Sequence, residues 1–288
     1  MKKFISIILF FVLSSLFVWA QEAPVHEFSA YSSFGLSSFR YKLSQGNRSG
    51  GIGGDFGVGY TWYRTNVRVT GTGRVFNERW GIYTGLGVGL YGAKSKFPNG
   101  SEVVKDTKDS ENDNIQLHSK LSDYKEKQRL TSLNIPVMAQ FQIQDYYAMA
   151  GLKLGIPLGG KYKTKKNATI TNEAYYPEYE NWLTTQKFAG YGVFDHQSDG
   201  DLKFGVSVML TMEGGMNWRL DRHFSLYTGL YFDVGLNNAA KNKKQTFVDY
   251  HTTGSNKASF STNSMMTAFT EKANLMAVGV KVRLAYVN

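Results

Sequence analysis

The 288-residue chain contains no cysteine. Disulfide scaffolds, thiol nucleophiles and cysteine-ligated metal centres are therefore excluded, and so is a lipoprotein anchor. Proline is scarce at 5 residues, as is histidine at 5, and no histidine spacing has the pattern of a metal site. Long apolar runs are missing after Val18: each later apolar stretch is broken by glycine, lysine or asparagine, so no second stretch approaches the ~20 apolar residues of a membrane helix.

The exception is the N-terminus. Lys2 and Lys3 precede an apolar run from Phe4 to Val18, and Val18-Trp19-Ala20 ends in a small residue. This is the pattern of a secretory signal peptide over residues 1–20, with cleavage after Ala20 and Gln21 as the new N-terminus. The alternative is a membrane anchor, against which the run is short and lacks a stop-transfer charge. Residues 21–288 then form one domain of moderate size. The formal charge of +10 becomes +8 once Lys2 and Lys3 leave with the signal. An exported chain rarely meets nucleic acid, and the lysines are scattered along the sequence rather than clustered. Outer-leaflet phosphate and carboxylate groups are the counter-charges expected, beside simple solvation of long loops.

What is abundant is glycine (30), phenylalanine (19) and tyrosine (18), the mix of an all-β protein. Alternation of period two runs through eight stretches: Phe28–Arg40, Gly51–Trp62, Trp80–Gly92, Leu130–Ile143, Tyr146–Leu158, Phe204–Trp218, Phe224–Leu236 and Met276–Tyr286. Each is long enough for the ~9–11 residues of a tilted membrane strand. Gln144-Asp145 and Leu220-Asp221-Arg222 are tight turns, whereas Ala93–Gln128, Gly159–Lys203 and Asn237–Ala273 are long and polar. Short turns on one side and long loops on the other predict an antiparallel up-and-down transmembrane β-barrel of about eight strands. Tyr63–Arg79 sits on the short-turn side and predicts a hairpin prolonged beyond the membrane, with room for an extra hairpin.

The same alternation would suit a soluble, lipocalin-like barrel binding an apolar ligand inside. Three features favour lipid. The polar row is glycine, serine and tyrosine rather than lysine and glutamate, and Gly85, Gly87 and Gly89 predict close approach of opposite walls. Tyr60, Trp62, Trp80, Phe141, Tyr146, Trp218, Phe224 and Tyr286 gather at the short-turn edge of the apolar row, as an interfacial girdle would. The few charges on the polar row, Asp55, Lys153, Glu213, Asp233, Lys281 and Arg283, have both signs and predict a paired cluster that plugs the lumen.

The strand phrases Leu133-Asn134-Ile135-Pro136-Val137 with Gln140-Phe141, then Tyr147 and Gly151-Leu152-Lys153-Leu154-Gly155-Ile156-Pro157-Leu158, then Glu213-Gly214-Gly215 running on to Phe224–Asp233, resemble the Bacteroidetes outer-membrane β-barrel domain family, the PorT-like and OmpA-like small barrels. The resemblance spans nearly the whole mature chain. It implies export to the outer membrane, outer-membrane lipid as surroundings and the barrel assembly machinery as a partner in biogenesis. It implies no single activity and no cofactor. The chain departs from the pattern in ending on Asn288, so Tyr286 has to serve as the terminal aromatic, and no cell-wall-binding domain follows.

Function is then expected in the long loops. Tyr175, Tyr176, Tyr179 and Trp182 put aromatics into one of them, either as a surface-binding patch or as a lid packed over the mouth. Asp195-His196 with Asp199 and Asp201 is the densest polar cluster, and a hydrolase acting on lipid or peptide at the loop-side rim would need such a pair or a serine–histidine pair. The cluster matches no diagnostic spacing, so no catalytic, cofactor or metal residue is assigned. A structural or cell-surface recognition role is the expectation.

Overall fold

The computed structural model describes residues 25–41, 43–69, 75–165, 168–241, 245–253, 257–270 and 272–288, with backbone alone at 65–69, 75–77, 253 and 257. The expected signal peptide lies outside the described residues. Eight long strands form a closed ring: β1 (Val25–Tyr41), β2 (Asn47–Val69), β3 (Val75–Lys96), β6 (Lys125–Ile143), β7 (Tyr146–Thr164), β12 (Ser207–Arg219), β13 (Phe224–Gly235) and β16 (Ala273–Val287). Every pairing is antiparallel, and the ring closes where β1 meets β16, from Glu27 opposite Val287 to Tyr41 opposite Ala273. The tight turns fall where the sequence puts them. Among its described residues Tyr63–Arg79 contains no extra ring strand: β2 and β3 continue pairing to Val69 opposite Val75, so Tyr60, Trp62 and Trp80 lie inside long strands rather than at their ends.

The two faces of the ring answer the question left by the alternation. Phe34, Leu36, Ile52, Val58 and Leu230 are exposed on the outer wall, Phe34 at 63 % and Leu230 at 66 %, while Asp55, Lys153, Asp233 and Arg283 are buried inside. A soluble protein does not leave a continuous apolar belt to water and bury its charges. The arrangement suits a hydrocarbon solvent, and it rules out a soluble barrel with a greasy interior.

One irregularity governs the upper part of β7. Thr131 pairs with Gly159 and the next residue, Ser132, with Pro157, so Leu158 is an extra residue on β7. A bulge of this kind reverses which alternate residues face outward. Below it Leu152 and Leu154 are exposed; above it Lys161, Lys163 and Lys165 are, and Tyr162 and Thr164 turn inward.

The long connections are not the polar coils that their composition suggests. They build a head on the loop side from β4 (Ser101–Lys108), β5 (Asn114–Ser122), β8 (Ala168–Tyr176), β9 (Asn181–Leu183) and β10 (Gly192–His196), joined in the order β10-β8-β5-β4 with β9 on β8. The short β11 (Asp199–Asp201) adds to β7 above β12, and β14 (Val248–Thr253) pairs with β15 (Lys257–Thr262) ahead of the helix α1 (Met265–Phe269). Strict alternation in β8, buried at Ala168, Ile170, Asn172, Ala174 and Tyr176, gives this sheet one inward face. That face packs with Phe97, Leu117, Tyr124, Tyr191 and Met265 into a core of its own.

Ring closure requires close backbone approach at the seam. Gly35 stands opposite Gly279, and a Cβ at Gly35 would lie 2.1 Å from the carbonyl oxygen of Val278. Gly214, whose Cβ would meet nothing nearer than 3.6 Å, is the contrasting position. Gly35→Val is expected to lose more than ~2 kcal/mol of stability, and Gly214→Ala less than ~0.5 kcal/mol. The check is urea unfolding in phosphatidylcholine vesicles, read by the heat-modifiable mobility shift on gels.

Candidate functional site in the lumen and the loop-side head

Inward positions of the ring are filled by polar side chains. Lys153 Nζ lies 2.8 Å from Asp233 Oδ2 and 3.6 Å from Asp55 Oδ2. Thr211 donates to the other Asp233 oxygen at 2.6 Å, and Asn134 Nδ2 to Asp55 at 3.0 Å. A second group sits nearer the short turns. Lys281 Nζ is 2.7 Å from Glu213 Oε2, and Tyr147 donates to Glu213 Oε1 at 2.9 Å. Arg283, the largest of the fully buried side chains, does not pair with Glu213 or Asp233 as their consecutive strands suggest. Its Nη1 donates to Gln140 Oε1 at 3.3 Å, and its guanidinium lies 4.1 Å from the ring centre of Tyr227, with Tyr83 and Tyr147 beyond. Ring faces add to the negative field of the Glu213 and Glu27 carboxylates, which lie beyond ion-pair distance.

The sequence alone singles out the six charges and misses their other partners: the buried acid Glu27 (accepting from Tyr227 at 2.8 Å) and the uncharged Tyr31, Asn134, Gln140 and Tyr147. Their signal was parity, since all share the inward row of their strands. The free space between the two groups, lined by Asp55 and Lys153 of one and Glu213 and Lys281 of the other, is about 10 Å³, no more than one water centre occupies. The expected close approach of opposite walls at Gly85–Gly89 takes another form. A Cβ at Gly87 would meet the Tyr31 hydroxyl and one at Gly89 the Asn134 amide, so these glycines make room for side chains that fill the interior.

The aromatic residues of the short-turn edge lie on the outer wall. Trp80, Tyr146, Trp218, Phe224 and Tyr286 are exposed, and Tyr60, Trp62 and Phe141 half-buried. They stack sideways on one another, Trp80 with Phe141 at 4.4 Å and Phe224 with Tyr286 at 5.5 Å between ring centres.

In the head the four loop aromatics separate. Tyr176 is a core residue: its hydroxyl donates to Asp109 Oδ2 at 2.9 Å and lies 3.2 Å from the Tyr191 hydroxyl. Burial and the neighbouring Asp109 carboxylate push this phenol up to about 12. Tyr179 stays exposed, while Tyr175 and Trp182 pack together at 5.0 Å on the other face, next to His118. The Asp195–His196 pair does not assemble, because adjacent strand residues point oppositely. Asp195 is exposed, whereas His196 is buried between Tyr124 and Phe260 with Nε2 2.6 Å from Thr262 Oγ1. His118 meets Glu102 instead, at 2.9 Å. Among the described residues no cluster of three or more histidines and carboxylates is placed to hold a metal ion.

Tyr176, Tyr179, Phe188, Tyr191 and Tyr250 line a cleft of about 380 Å³ whose rim is the β4–β5 turn with Asp109, Glu111 and Asp113. Asp109 fixes that turn by accepting from the backbone of Glu111 and Asp113, both at 2.9 Å. Aromatic walls beneath three carboxylates favour a positively charged guest. The head is clamped to the barrel by Glu126, at the head end of β6, which accepts from Met265 N at 2.8 Å and from Ser264 and Gln128. Burial raises this carboxyl above its ordinary value.

A closed antiparallel ring with an apolar outer belt, a charged interior and asymmetric connections is an integral outer-membrane β-barrel. The chain belongs to the family described as outer membrane protein beta-barrel domain, which matches residues 19–241. No curated protein matches it. Among solved structures it is similar to Ail, the attachment invasion locus protein of Yersinia pestis, in complex with the heparin analogue sucrose octasulfate, with 10 % identity over 93 % of this chain and 100 % of that one at a TM-score of 0.29. Neisserial surface protein A gives 9 % identity over 91 % and 98 % at 0.27, and the outer membrane protease OmpT of Escherichia coli 8 % over 93 % and 99 % at 0.30.

Two expected outcomes follow from this geometry. Lys153→Met leaves Asp55 and Asp233 buried without their cation and should cost ~3–5 kcal/mol, while Lys105→Met, which breaks a partly exposed pair with Asp249, should cost less than ~1 kcal/mol; urea unfolding in lipid vesicles compares them. Burial holds the His196 imidazole below its ordinary value. Below the ordinary histidine pKa the unfolded head therefore binds more protons, so this residue's contribution falls as pH drops towards the folded value. The fall in head stability from pH 7 to pH 5, followed by amide exchange of β10 and β15, should shrink in His196→Gln.

Proposed function

We propose that the protein is a closed outer-membrane barrel that presents a surface recognition head, and that the guest of the head is a cationic group such as an amine-bearing or basic peptide ligand. The observation that carries the reading is the contrast between the two ends. The barrel interior leaves about 10 Å³ among its ion pairs, whereas the head has its own core and an open aromatic and acidic cleft of about 380 Å³. The polar interior therefore acts as a plug rather than a pore. The girdle role of the short-turn aromatics, export through a signal peptide cut after Ala20, a PorT-like or OmpA-like Bacteroidetes origin, and partnership with outer-membrane lipid and the barrel assembly machinery belong to the same reading. No observed constellation favours a hydrolase over recognition.

The test uses the full chain in phosphatidylcholine nanodiscs, titrated with a lysine-rich decapeptide and followed by calorimetry. Glu111→Gln with Asp113→Asn, and separately Tyr179→Ala, should each weaken binding about tenfold, near 1.4 kcal/mol. Planar bilayers containing the protein should show no steady conductance. Unchanged affinity in both variants sinks the cleft assignment, and steady conductance sinks the plug.

A further inference from the structure

The lysines that look scattered along the sequence converge in the folded molecule. Lys94 and Lys96 end β3, and Lys125, Lys127 and Arg129 begin β6. Lys161 and Lys163 stand at the upper end of β7, with Lys165 directly after it. All eight are exposed on the outer wall. The register sets like charge against like charge: Lys94 opposite Lys127 and Lys127 opposite Lys163, Lys96 opposite Lys125, and Arg129 opposite Lys161. Like charges directly opposed in a sheet repel. Among the described residues none of the eight is placed in an ion pair. The nearby acids do not cancel them: Glu126 points inward to its own partners, while Asp199 and Asp201 on β11 oppose only Lys163 and Lys161. Together these side chains enclose an outward groove of about 750 Å³.

The height of the plate identifies its partner. On each strand the cations follow the outward apolar row after one small residue: Gly92 beyond Leu90 on β3, Thr131 beyond Leu133 on β6 and Gly159 beyond the Leu158 bulge on β7. At ~3.3 Å per residue and a tilt of ~40°, they stand about 8–20 Å above the last apolar side chain. The lowest of them stand at the outer edge of the polar headgroup layer, which adds ~5–8 Å to each side of a hydrocarbon core of ~30 Å, and the higher ones overlook it. Lysine stems can lie along lipid while their ammonium groups reach phosphate, and the Arg129 fork suits phosphate oxygens.

We infer that the β3–β6–β7 face is a binding site for phosphate-bearing glycolipid headgroups of the surrounding outer leaflet, each phosphate bridging two cross-strand cations. The inference rests on the membrane placement of the barrel and is independent of the head cleft.

The experiment measures the melting midpoint of the full chain, by heat-modifiable mobility, in nanodiscs of phosphatidylcholine alone, with phosphorylated lipid A, or with dephosphorylated lipid A. The midpoint should rise with phosphorylated lipid A only, and the rise should shrink with added salt. K94Q/K127Q/K163Q should lose roughly half the rise or more. K94R/K127R/K163R, and a control K108Q/K187Q/R222Q taken from elsewhere on the surface, should keep it. If the triple glutamine variant does not insert, Lys127→Gln, at the centre of the row, is read by the lipid phosphate that co-purifies per barrel, which should fall. An equal rise with dephosphorylated lipid A, or full retention in the glutamine variants, overturns the site. So does a rise given by soluble heparin without one from phosphorylated lipid A, which would assign the face to a free sulfated glycan.

Discussion

Lys153 stands between Asp233 at 2.8 Å and Asp55 at 3.6 Å, and the closed ring depends on that three-residue contact. Its members come from β7, β13 and β2, so the ammonium ties together parts of the wall that are not neighbours in the hydrogen-bonded ladder. In a narrow barrel an inward residue is stable when it is small or when its polar group meets another inward residue, because leaving a buried polar group unpaired is costly. The glycines and the tyrosines of the interior are two sides of this constraint: Gly87 leaves the space that the Tyr31 hydroxyl takes, and Gly89 the space of the Asn134 amide. The apolar outer belt can then face hydrocarbon.

Above the membrane the logic inverts, and the chain reverts to ordinary globular packing. The head keeps apolar residues inside and carboxylates outside, and among the described residues Glu126 is its single buried acid, bound by Ser264, Met265 and Gln128 at the base of α1. Two different solvents therefore act on one chain. The same period-two alternation buries polar residues in β13 and apolar ones in β8.

The barrel was legible because its signal is local. The eight alternating stretches and the two tight turns fix the number and direction of the ring strands, and the charge signs on the polar row point to the interior. The head was not legible, for the same physical reason. Lys-, Asp- and Asn-rich segments such as 101–122 read as solvated coil, and only pairing of β5 with β8, some fifty residues apart, shows that Ile115, Leu117 and Leu121 form one apolar face. Tyr176 was chosen for its aromatic ring and turned out to be core. His196 was chosen for its neighbours Asp195 and Asp199, which strand geometry turns away. The lysine plate needed two non-local facts, the register of β3, β6 and β7 and the extra residue at Leu158, neither of which composition carries.

Pairing of β1 with β16 also dictates an order of events. Phe28 finds its partner at Tyr286, almost the full length of the chain away. No other pair of ring strands has so large a loop to close, and loop-closure entropy grows with that length. Until the last strand arrives, the sheet carries two bare edges with unpaired amides, which in water would recruit other chains. Translation from the N-terminus delivers the seam last, so this barrel becomes a barrel only after its synthesis is complete, and the interval before closure is when it most needs an escort.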